Sequence, residues 1–133
     1  MRKFFNMALG LILIFALSSC SSNSHVSLPK AEDIEKVELT HSDNKANELI
    51  SDQVEISNLI ENLTESSRKT YKGSVNDEPT NVDQYITINF YHKDSKDNPS
   101  RVHLYKENNF TYIEQPYSGI WRVDNNIFEK IDN

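Results

Sequence analysis

Between Tyr85 and His92 apolar and polar side chains alternate. Ile86, Ile88 and Phe90 fall on one side; Tyr85, Thr87, Asn89 and Tyr91 fall on the other. Period two predicts a strand with one buried face. The same alternation recurs twice. In Ile34–Thr40, Val37 and Leu39 alternate with Lys36, Glu38 and Thr40, and in Arg101–Lys106 the apolar positions are Val102 and Leu104. Asn108-Asn109 then predicts a two-residue turn, because asparagine tolerates the positive φ that a type I′ hairpin demands. Phe110–Gln115 returns as the next strand. Pro116-Tyr117-Ser118-Gly119 reads as a further turn, and Ile120–Val123 as a last short strand.

Helical spacing appears in two places. In Asp52–Ser66, Ile56, Leu59, Ile60 and Leu63 recur on one face, with Asn58, Glu61, Asn62 and Glu65 opposite. Asp52 stands at the N-cap position and Glu55 three residues on, the spacing of a capping box. After Asp124, a second N-cap residue, Ile127, Phe128 and Ile131 give a short final helix an inward face. His41–Ala46 and Lys93–Ser100 are polar connections. Ser67–Asp83 is a long polar loop, a length that goes with function or disorder. The order β-α-β-β-β-β-α predicts an α+β domain: an antiparallel sheet of four to five strands with two helices packed on it.

The hairpin fixes a register. A two-residue turn at Asn108-Asn109 sets Glu107 opposite Phe110, Tyr105 opposite Tyr112, Leu104 opposite Ile113 and His103 opposite Glu114. Ile88, Phe90, Val102, Leu104 and Ile113 then share the core face under the first helix. The other face gathers Tyr85, Tyr91, Tyr105 and Tyr112, bordered by His103 and Glu114. Tyrosine combines apolar area with a polar tip, so these six residues are a candidate binding surface. Two structural explanations compete with that reading. The final helix lies over them, or cross-strand tyrosine pairs stiffen an exposed sheet.

The amino terminus adds an address. Arg2 and Lys3 precede an apolar run from Phe4 to Leu17 that is broken only by Asn6 and Gly10. Small residues Ser18 and Ser19 lead to Cys20, the single cysteine. The run falls short of the roughly 20 residues needed to span a bilayer and has the layout of an export signal. Leu17-Ser18-Ser19-Cys20 resembles a bacterial lipobox. That resemblance implies cleavage before Cys20 and a diacylglyceryl thioether on its sulfur. Two acyl chains make a stable anchor, whereas one is marginal. The expected organisation is a signal peptide over 1–19, a lipidated cysteine and flexible tether over 20–29, and one domain over 30–133. The expected location is the extracytoplasmic face of a bacterial cell membrane.

Charge narrows the partners. Loss of Arg2 and Lys3 with the signal takes the formal charge from −6 to −8. An acidic chain is unsuited to phosphate backbones, so no nucleic-acid partner is expected. Anionic headgroups should repel it, leaving the lipid on Cys20 to hold the membrane. With Cys20 committed, no thiolate chemistry remains in the mature chain.

Motifs for chemistry are absent. His25, His41, His92 and His103 are dispersed, and the pairing above points His92 and His103 to opposite sides of the sheet, so no metal site is expected. There is no Gly-x-Ser-x-Gly elbow and no phosphate loop, and no cofactor is implied. Asp77 and Glu78 read as a solvated acidic loop. Glu114-Gln115-Pro116-Tyr117 reads as a turn shaped by Pro116 and Gly119, with a recognition edge as the functional alternative.

Three stretches carry a family resemblance: Ser74-Val75-Asn76-Asp77-Glu78-Pro79, Tyr85-Ile86-Thr87-Ile88, and Tyr112 through Ile120. They resemble a family of small Gram-positive lipoproteins of unknown function. The resemblance runs from about Leu28 to the C-terminus. It implies a lipidated extracytoplasmic single domain and supplies no activity, substrate or catalytic residue.

The expected function is therefore a membrane-anchored binding or interaction module that contacts another envelope protein, a peptide or wall material. An immunity or inhibitor lipoprotein is a variant of that reading. The alternative from another class is a small envelope hydrolase acting through Asp77, Glu114 or a histidine.

Overall fold

The computed structural model describes residues 24–95 and 97–133. Among these residues seven strands form one antiparallel sheet: β1 (Ile34–His41), β2 (Glu48–Ile50), β3 (Arg68–Lys69), β4 (Tyr85–His92), β5 (Ser100–Glu107), β6 (Phe110–Gln115) and β7 (Gly119–Val123). Their order across the sheet is β2-β1-β4-β5-β6-β7-β3. Two α-helices complete the fold, α1 (Gln53–Ser66) and α2 (Asn125–Asp132).

Local chemistry sets the hairpins. Asn108 and Asn109 both take positive φ, at 52° and 68°, as a type I′ turn requires. The β5–β6 pairing follows: Tyr105 opposite Tyr112, Leu104 opposite Ile113, His103 opposite Glu114. Even pairs with even between β4 and β5, with Ile86 opposite Leu104 and Ile88 opposite Val102. One sheet face thus carries Val37, Leu39, Ile86, Ile88, Phe90, Val102, Leu104, Ile113, Trp121 and Val123, all buried.

Both helices cover that face. Asp52 caps α1, its carboxylate accepting from the N–H groups of Val54 and Glu55 at 2.9 and 3.0 Å. The capping box is only half made, because the Glu55 side chain forms no bond back to Asp52 among the described residues. Ile56 and Leu63 are buried, with Leu59 and Ile60 packed beside them. Ile127 of α2 joins the same core, flanked by Phe128 and Ile131. Asp124 holds the N-cap position of α2 without a side-chain cap bond.

Two expectations change, and one of the two competing explanations for the tyrosine face falls. The sheet has seven strands, not four to five, because β2 and β3 add short edges of three and two residues that leave no period-two signal. The final helix does not lie over the tyrosine face; Ile127 draws it to the opposite side. The packed domain also begins before Leu28. Val26 is buried in the core, its N–H donates to Ser67 Oγ at 2.9 Å, and the Lys69 N–H donates to the Ser24 carbonyl at 3.0 Å. A buried apolar residue and two backbone bonds fix what the polar composition reads as a tether. The signal run and Cys20 lie outside the described residues.

Candidate functional site

The long connection after α1 explains the second sheet face. From Thr70 to Gln84 the chain runs across β5, β6 and β7 as a strap. Thr70 ties its start down, with its N–H and hydroxyl both donating to the Ile120 carbonyl at 3.2 and 2.6 Å. Lys72 then sets its ammonium 4.8 Å from the centre of the Tyr112 ring and 3.9 Å from the Glu107 carboxylate. Ser74 donates to Glu114 Oε1 at 2.8 Å. Val82 packs with Tyr85 against Tyr105, Tyr112 and Ile120.

Beneath the strap His103 and Glu114 have both of their polar side-chain atoms paired. Glu114 takes the Ser74 hydroxyl on one oxygen and the Tyr105 phenol, at 3.2 Å, on the other. His103 is 1% exposed. Its Nε2 lies 2.8 Å from the carbonyl of Asp77 and its Nδ1 2.9 Å from Thr87 Oγ1. A carbonyl only accepts, so Nε2 carries the proton and Nδ1 accepts from the Thr87 hydroxyl. Tyr85 meets the imidazole edge-on, ring centres 5.4 Å apart. Tyr105 and Tyr112 lie ring to ring at 5.8 Å.

Burial shapes the protonation of these groups. It lowers the His103 pKa, offset in part by the bond to Asp77 and by the carboxylates of Glu114 and Glu78, so the ring is held neutral. Burial also raises the Tyr105 phenol pKa, with the Glu114 charge and hydrogen bond adding to it. Tyr85 is raised by burial and by the neighbouring Glu78 carboxylate. At the surface, the neighbouring Asp77 carboxylate raises the Tyr117 pKa.

The six residues of the candidate surface therefore divide. Tyr85, His103, Tyr105, Tyr112 and Glu114 share one cluster, as the register predicts, but it is a covered cluster and not an open surface. The strap supplies the Ser74 hydroxyl to Glu114 and the Asp77 carbonyl to His103. Tyr91 stands apart on the uncovered part of the same face. Lys36 is 4.9 Å from its ring centre, and its phenol reaches Glu38 at 3.4 Å. Burial and the Glu38 charge raise its pKa. Ser74 and Thr87 escaped the sequence reading as site residues, while Asp77 and Tyr117 were singled out there for other roles. Thr87 was within reach, since it faces His103 across the β4–β5 pair. Ser74, and the contact of the Asp77 carbonyl with His103, were not, because a polar loop without period does not reveal where it lies.

The other histidines have separate structural roles. His25 Nδ1 lies 2.9 Å from the Ser67 carbonyl, His41 lies 3.4 Å from Asp132, and His92 bonds Ser100 at 2.8 Å. No group of three potential metal ligands converges among the described residues. Among the same residues no helix is long and apolar enough to cross a membrane.

The family model DUF5301, described as a domain of unknown function (DUF5300), matches residues 22–122. The chain belongs to this family. The match takes in the buried N-terminal segment, the strap and all seven strands up to Arg122. An NMR structure of a protein from Ruminococcus gnavus resembles this DUF5301 chain with a TM-score of 0.62 and 28% identity, over 76% of this chain and 93% of that one. No curated protein matches it.

Proposed function

We propose that this DUF5301 chain is a lipid-anchored extracytoplasmic binding module that meets its partner through the outer surface of the strap. One observation carries the reading. The strap brings Ser74, the Asp77 carbonyl and the Lys72 ammonium onto Glu114, His103 and Tyr112, and large apolar side chains lie outside: Tyr71 and Val75 on the strap and Tyr117 on the β6–β7 turn are all exposed. Exposed aromatic area on a rigidly backed segment suits recognition. The hydrolase alternative has less support, because both nitrogens of His103 and both oxygens of Glu114 already have partners within the fold. Such a module fits a partner protein or peptide of the envelope, an immunity target included.

Crosslinking in intact cells tests this. A benzophenone side chain in place of Tyr117 in the full chain should give a discrete adduct with one envelope component. Tyr71→Ser with Val75→Ser should lower its yield about tenfold or more, as loss of a recognition hot spot does, and leave the thermal midpoint unchanged. No adduct, or an adduct indifferent to both substitutions, contradicts the reading.

A further inference from the structure

The domain carries a cationic edge where its chain leaves for Cys20, and we infer that this edge rests on the anionic phospholipid surface of the membrane. The inference depends on the lipid anchor proposed above. Ser24 is pinned beside Lys69 by a 3.0 Å backbone bond. Only Ser21, Ser22 and Asn23 separate it from Cys20. Consecutive Cα atoms are 3.8 Å apart, so Ser24 cannot stand more than about 15 Å from the Cα of Cys20. A domain held that closely must present one side to the bilayer.

That side is basic. Arg68 and Lys69 form the edge strand β3, and Arg122 lies opposite Arg68 in the β3–β7 pairing. All three are exposed. With Thr70 they line an open hollow of about 390 Å³, in which Asp124 is the one lining carboxylate. Among the described residues none of the three basic side chains forms an ion pair. Arg68 instead binds the carbonyls of Glu65 and Ser67, both at 2.8 Å, and Arg122 stacks 3.9 Å over Phe110. Like charges directly opposite on paired strands are destabilising. In a chain of net charge −6, an arginine pair without an acidic partner awaits an external anion.

The acidic total does not oppose this. Screening confines surface electrostatics to a Debye length of about 8 Å at physiological salt, so the bilayer senses the nearest charges and not the sum. Near an anionic leaflet each basic side chain contributes about fivefold in association, hence on the order of a hundredfold for three. The chemistry recognised is a phosphate-bearing anionic headgroup. The overall repulsion expected from composition gives way to a local attraction at the anchor.

The test uses the lipidated full chain in vesicles that contain a gadolinium-chelated headgroup lipid. NMR signal broadening is mapped along the sequence. In phosphatidylglycerol vesicles, broadening should concentrate at Arg68 to Thr70 and at Arg122. It should spread evenly in phosphatidylcholine. Arg68→Gln/Lys69→Gln/Arg122→Gln should abolish the concentration in phosphatidylglycerol while the protein still floats with the vesicles. Lys69→Gln alone, which breaks no side-chain bond, should weaken it and guards against misfolding of the triple variant. Even broadening, or broadening centred on another face, in a chain whose flotation needs Cys20 overturns the cationic-edge inference alone. Flotation indifferent to Cys20→Ala overturns the anchor. Loss of the pattern on adding inorganic phosphate at fixed ionic strength would assign the edge to a free anion and overturn the membrane assignment.

Discussion

Both ring nitrogens of His103 are engaged, with Nε2 donating to the Asp77 carbonyl and Nδ1 accepting from Thr87, and it is burial that disfavours the charged ring. Burial puts its folded pKa below the ordinary 6.5. Above about pH 6.5 the ring is neutral whether the chain is folded or unfolded, and the full stability is present. As pH falls, the unfolded ring takes a proton that the folded ring refuses. Stability is therefore lost down to the folded pKa and then levels off. Urea midpoints measured from pH 7.5 to 5 should fall, and His103→Gln should remove that part of the fall. A pH dependence unchanged by His103→Gln would show that the ring is not held neutral by the strap.

At the scale of elements, α1 is where sequence pattern and packing agree most closely. Ile56 and Leu63 are fully buried, and Leu59 and Ile60 partly so. Truncating Ile56 or Leu63 to Ala should cost about 2–5 kcal/mol each, and truncating Leu59 or Ile60 less. Chemical denaturation measures both, and equal losses at all four positions would mean that the helix is seated differently. The β4–β5–β6 meander was equally legible, since alternation gave the faces and Asn108-Asn109 gave the register. Three features were hidden, each for a physical reason. β2 and β3 are too short to alternate. The burial of Val26 depends on Ser67, 41 residues away. The strap carries Val82 and Pro79 as its only buried or half-buried apolar payload, and is held by scattered hydrogen bonds that leave no periodic trace. The candidate site inherits this division. Its residues were found from the strand register, while its covering could not be read from the strands.

At the scale of the whole molecule, two features give the domain a direction. The strap covers part of one sheet face, with Tyr71 and Val75 exposed on it and Tyr117 exposed on the β6–β7 turn. The opposite edges of the sheet differ, β3 carrying Arg68 and Lys69 beside the point where the chain departs for Cys20. A lipid on Cys20 would set that edge at the bilayer and leave the remaining surface to face a partner. Composition alone suggests a domain floating on a long tether. The bonds from Ser67 and Lys69 to residues 24–26 shorten that tether to three residues and make orientation a physical consequence of anchoring. Everything at this scale depends on Cys20. The mass of the protein recovered from cell membranes is the most direct measurement of it. The expected species begins at Cys20 and carries a diacylglyceryl group, and Cys20→Ala should abolish both the processing and the detergent partitioning. A membrane-bound chain with the same processed mass in wild type and Cys20→Ala would contradict the account.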